Sequence, residues 1–159
     1  IATGCSKKET LSAPASPESP LKHEHHPPHG GTPVVLGDEV YHIELVLDAS
    51  SGKLSAYIVD GEMENFIRSS APSFEVTASV AGQNRTLNFI PVSNSATGEK
   101  IGDTSQFETE ADWLKSVKEF DGVLKKINVR GTVFSDVAFN FPKGNDKDDE
   151  PPAAAAGKK

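Results

Sequence analysis

All five histidines of this chain fall between residues 23 and 42, at His23, His25, His26, His29 and His42. Neutral imidazole is the commonest protein ligand for zinc, copper and nickel, so the cluster points to transition-metal chemistry before any other kind. Four of the five sit in a proline-containing run, Lys22-His23-Glu24-His25-His26-Pro27-Pro28-His29-Gly30-Gly31. Such a tract takes up divalent ions through whichever imidazoles reach them, and it lacks the regular spacing of a structural zinc motif. The fifth stands in Tyr41-His42-Ile43-Glu44-Leu45-Val46-Leu47-Asp48. Residues two apart in a strand project from one face, so His42 and Glu44 lie side by side, opposite Ile43 and Leu45. Either this pair is an ordinary solvent face, or it offers two ligands to which a flexible arm adds a third. His29, beside the Gly30-Gly31 turn, is best placed to fold back. The candidate ligands are His29, His42 and Glu44, with His23, His25 and His26 as interchangeable imidazoles of the arm.

The rest of the chain offers no catalytic arrangement, so a non-enzymatic protein is expected. It has no Gly-x-Ser-x-Gly elbow, no His-Glu-x-x-His pair, no phosphate-cradling glycine loop, and no histidine outside the cluster to serve as a base. The acidic run from Asp146 to Glu150 lacks the turn glycine and distal glutamate of a calcium loop and reads as a solvated tail. With one cysteine there is no intramolecular disulfide and no Cys-x-x-Cys pair. That residue, Cys5, follows Ala2-Thr3-Gly4 and precedes a polar stretch of Ser, Lys, Glu, Thr and Pro. The pattern resembles the end of a bacterial lipoprotein signal, in which small residues precede a cysteine that is lipidated. Cys5 is accordingly the expected point of membrane attachment, a free thiol in a flexible arm being the alternative. No run of 18 apolar residues could cross a bilayer.

Composition divides the 159 residues into three parts. Every aromatic residue lies between 34 and 142, while the flanks are rich in Pro, Ala, Ser and Lys. We expect a tether over 1–30, one domain over 31–142 and a tail over 143–159, both flanks being too polar to order themselves. About 110 residues can bury a core without disulfides or metal, so any metal would be cargo or switch and not a requirement for folding. The formal charge of -7 belongs to the middle part. An acidic domain repels phosphate backbones and attracts cations, which excludes nucleic acid as partner.

Within the domain, hydrophobic residues alternate in short runs: 32–36, 41–48, 53–60, 74–81, 85–92, 104–108, 124–130 and 132–141. Gly37-Asp38, Ala49 to Gly52, and Gly82-Gln83-Asn84 read as turns, and 62–72 as a crossing segment. One helix is expected over 109–118, capped by Thr109 with Trp113, Leu114 and Val117 on one face. Seven or eight short strands with one short helix predict an all-β fold, an antiparallel immunoglobulin-like β-sandwich.

The run Pro28-His29-Gly30-Gly31-Thr32, then Leu36-Gly37-Asp38, Tyr41-His42-Ile43-Glu44-Leu45-Val46, Gly52-Lys53-Leu54 and Tyr57-Ile58-Val59-Asp60-Gly61, resembles a domain of small bacterial envelope lipoproteins. It is similar to the His-Gly-Gly segment near the start of some periplasmic adaptor proteins of heavy-metal efflux systems. The resemblance implies a periplasm-facing, lipid-anchored protein that handles copper, zinc or nickel as buffer or carrier. It lacks the helical hairpin and lipoyl-like halves of the adaptors, so it cannot bridge a pump alone. The competing expectation is an anchored interaction module, docking another envelope protein through a sheet edge or its acidic face.

Overall fold

Two-residue turns set the strand boundaries. Ala81-Gly82 and Arg130-Gly131 all adopt left-handed backbone, with φ of 50°, 76°, 51° and 88°, the geometry whose twist matches the strands of a tight hairpin. The first turn thus sits one residue earlier than the expected Gly82-Gln83-Asn84, and the following strand begins at Gln83. The computed structural model describes residues 24–146. Its strands are β1 (Thr32–Leu36), β2 (Tyr41–Asp48), β3 (Lys53–Asp60), β4 (Phe74–Val80), β5 (Gln83–Pro91), β6 (Gln106–Glu110), β7 (Phe120–Val129) and β8 (Thr132–Phe141).

The all-β antiparallel class read from the sequence holds. The strands run in the order β1-β2-β3-β6-β5-β4-β7-β8, and all neighbours are antiparallel. They form one barrel-like sheet instead of two separate layers, and β6 is the reason. Only five residues long, it pairs with β3 from Lys53↔Glu110 to Tyr57↔Gln106, and on its other side with β5 through Ile90↔Glu108 and Pro91↔Phe107. The two outer strands are then drawn together by Asn145. Val35 N–H donates to Asn145 Oδ1 at 2.7 Å, and Asn145 Nδ2 donates to the carbonyls of Val35 (3.2 Å) and Ala138 (3.1 Å). One side-chain amide thereby takes the place of a ladder between β1 and β8, covering edges that would otherwise invite other strands.

Inward residues of every strand fill the barrel. Phe74 and Phe89 stack with ring centroids 4.7 Å apart, and Phe107 meets Phe74 edge-on at 5.3 Å. Ile43, Leu45, Leu54, Ala56, Ile58, Leu87, Leu124 and Ile127 complete the same cluster. The expected helix over 109–118 contracts to a single 3-10 turn, Asp112–Lys115. Thr109 does not cap it, because its backbone is committed to the sheet opposite Leu54. The N-cap position is Ala111, which makes no side-chain bond. Too few residues then remain before Phe120 opens β7 for a helix to propagate.

Candidate metal centre

The outer face of β2 is where the structure departs most from the solvent-face expectation. His42 and Glu44 do share a face opposite Ile43 and Leu45, yet both are fully buried. Val35 of β1 and Val59 of β3 flank His42 in register, while Pro33 and Tyr57 flank Glu44. Residues 24–31, upstream of β1, then cover the pair. Gly31 is what lets the segment lie so close: a Cβ there would come within 2.5 Å of the Leu45 carbonyl and 2.9 Å of Glu44 Cγ.

This covering sorts the predicted ligands into two groups. His29 joins Glu44. The Glu44 carboxylate accepts the His29 N–H at 2.7 Å and the Gly31 N–H at 3.0 Å on Oε1, and its Oε2 lies 2.8 Å from His29 Nδ1. An ionised carboxylate only accepts, so Nδ1 is the donor in this contact. The ring also stacks on Tyr57 at 4.2 Å. Glu44 is thus occupied in holding the arm, and the expected His29–His42–Glu44 ligand triad is not the grouping that forms.

His42 joins His25 instead. Their ring centroids lie 4.7 Å apart, tilted by 44°. His25 Nε2 and both ring nitrogens of His42 are buried and make no well-formed hydrogen bond among the described residues, although the Asp60 backbone lies close enough to act on the His42 ring as a weak one. Two carboxylates face His25: Glu39 Oε1 lies 3.9 Å from Nε2, and Asp146 Oδ2 lies 4.0 Å from it. Ligand atoms of His25, Glu39 and Asp146 all fall within 4.8 Å of one another. Separations of 3.9–4.0 Å are too long for hydrogen bonds. They are short enough for one ion to bridge with bonds of roughly 2.0–2.2 Å. Buried polar atoms without partners are rare enough to call for an explanation, and a role in binding an ion is one of the few available.

Glu39 and Asp146 were not among the sequence candidates. Glu39 belongs to the β1–β2 turn, where its φ of 58° is left-handed, and its nearness in sequence to His42 was the only signal. Asp146 opens the acidic run that reads as a solvated tail in the sequence. It is drawn in because Gly144 lies flat on β1, where a side chain would strike the Pro33 carbonyl, and because Asn145 is fixed between β1 and β8. His26 stays out: its side chain is 80% exposed and its Nε2 lies 3.9 Å from Glu24. His23 and Cys5 fall outside the described residues.

Burial holds the His42 imidazole below its ordinary value of 6.5, and the neighbouring His25 pushes it the same way. The Asp60 backbone and the carboxylates of Asp146 and Glu39 pull upward without reversing the direction. A depressed pKa means that the native state binds fewer protons than the unfolded chain. Above about pH 6.5 the buried ring therefore carries no protonation penalty, and stability is lost as pH falls from there through the lower folded-state value. Urea unfolding of the metal-free protein at pH 7.5 and 5.5 should show this loss, and a His42→Leu variant should lack that part of it. Equal pH dependence in both proteins would refute the assignment.

Comparison with protein-family models, with curated proteins and with solved structures finds no match, so the centre is read from its own geometry.

Proposed function

We propose that this protein is a non-enzymatic domain that binds a borderline divalent transition-metal ion, zinc, copper(II) or nickel, as buffer or carrier, through His25, His42, Glu39 and Asp146. The observation that carries the reading is His25 Nε2, buried without a hydrogen-bond partner among the described residues and facing two carboxylates, with the buried His42 ring stacked beside the His25 ring at 4.7 Å. Two nitrogens and two oxygens suit those metals better than soft copper(I), which prefers sulfur, or calcium, which takes six to eight oxygens. The protein is expected to fold without metal, since the barrel core does not involve the site.

The test is a calorimetric titration with zinc, copper and nickel on the full chain and on a chain shortened to begin at residue 24. Both should bind one ion with the same affinity. Loss of binding on removal of residues 1–23 would place the activity in a His-rich tail and defeat the site drawn above.

The same proposal locates the domain at a cell envelope through a lipid on Cys5, on the strength of the small residues and polar tether around it. Cys5→Ser in the precursor should shift the product from the membrane fraction to the soluble one. An N-terminus without lipid by mass spectrometry would contradict this part alone.

An interaction module is the second reading, and one observation favours it. The pairing of β5 with β6 stops at Ile90↔Glu108 although β5 begins at Gln83. The gap is a groove of about 420 Å³ lined by Thr86, Asn88, Ile90, Glu108 and Glu110.

A further inference from the structure

Glu44 is a fully buried carboxylate of the outer face whose two oxygens are both engaged, and nothing in metal chemistry requires it to be. It receives two backbone N–H groups and stands against one ring nitrogen, all from His29 and Gly31. Those residues close the segment that begins with His25. A turn bond from Gly30 N–H to the Pro27 carbonyl (3.0 Å) reverses the chain between them. The position of the His25 ring over His42 is therefore set by where Glu44 holds the segment's far end.

We propose that residues 24–31 form a strap that carries His25 into the metal centre, and that Glu44 is the positioning residue that latches it. The inference rests on the metal reading above and adds how the centre is assembled. With the strap docked, His25 meets His42, Glu39 and Asp146. With it lifted, His42 opens to water and the ion loses one imidazole. Metal uptake and strap docking then share one free-energy balance, so each must favour the other. Losing a group that orients a metal ligand typically costs roughly 10–100-fold in affinity.

A double-mutant cycle separates a latch from a ligand. Zinc affinity should fall by roughly 10–100-fold in Glu44→Ala, the range found for supporting groups, and amide exchange at 25–31 should accelerate. His25→Ala should also weaken binding. The combination of the two should be no weaker than His25→Ala alone, because a strap without His25 has nothing to present. Multiplying effects would mean that Glu44 contributes independently of His25, which overturns the latch. Gly31→Ala provides a second route if Glu44→Ala does not fold, since its Cβ would meet the Leu45 carbonyl at 2.5 Å and Glu44 Cγ at 2.9 Å, pushing the strap outward without removing the carboxylate. A wild-type chain that takes up zinc, with affinity unchanged in both Glu44→Ala and Gly31→Ala, defeats the latch and leaves the metal reading standing. A wild-type chain that takes up no zinc defeats both.

Discussion

His42→Leu should make the metal-free protein more stable and the metal-loaded protein far harder to obtain. The imidazole is fully buried between Val35 and Val59, and neither ring nitrogen makes a well-formed hydrogen bond among the described residues. Leaving such a group unsatisfied costs on the order of 1–3 kcal/mol, whereas an apolar side chain of similar volume carries no such penalty. A gain of about 1 kcal/mol in urea unfolding is expected above pH 7. Zinc affinity should fall at least ~100-fold, because losing a ligand must cost no less than losing the groups that merely orient one. A residue that lowers stability while it enables binding is held for what it binds. Should the variant lose stability and keep its zinc affinity, His42 would be a packing residue and the centre would need another ligand.

Phe107→Ala is expected to give the largest loss of stability of any single truncation in the barrel, about 3–5 kcal/mol for a buried aromatic. Phe107 is fully buried, pairs with Ala56 on one side and Pro91 on the other, and meets Phe74 edge-on. It sits on the one short strand that joins β3 to β5, so the cavity would open where the sheet has least ladder to spare. Against a typical total of 5–15 kcal/mol the variant would be marginal. Val133→Ala, at a half-exposed position of β8, is the control and should change little. Equal denaturation midpoints for the two variants would show that β6 is not where the barrel is held together.

The elements that alternation alone determines were legible. The limits of β1, β3 and β8 agree with the sequence reading to the residue, because inward Val, Leu, Ile and Phe leave no other register that buries them. What failed depended on contacts distant in sequence. The face shared by His42 and Glu44 was correctly assigned, but its burial comes from residues 24–31, whose histidines and prolines give no periodic signal. Glu44 looked like a ligand because its spacing from His42 was right; only the N–H groups of His29 and Gly31 show that its oxygens are engaged elsewhere. Asp146 was hidden among neighbours of the same charge, and nothing local distinguishes it. The helix over 109–118 was overridden by strand pairing at Thr109, a preference of tertiary origin that propensity does not contain.

Asn145 has a mechanical consequence. Because it, and not a continuous ladder, joins the first strand to the last, and because Asp146 lies 4.0 Å from His25, both ends of the described chain leave the barrel at one point. A pull between them would load these few contacts in succession, peeling the seam open instead of shearing whole strands past one another. An ion shared by His25 and Asp146 would act as a clasp across that seam. The force needed to begin unravelling the domain would then report directly on whether the clasp is filled.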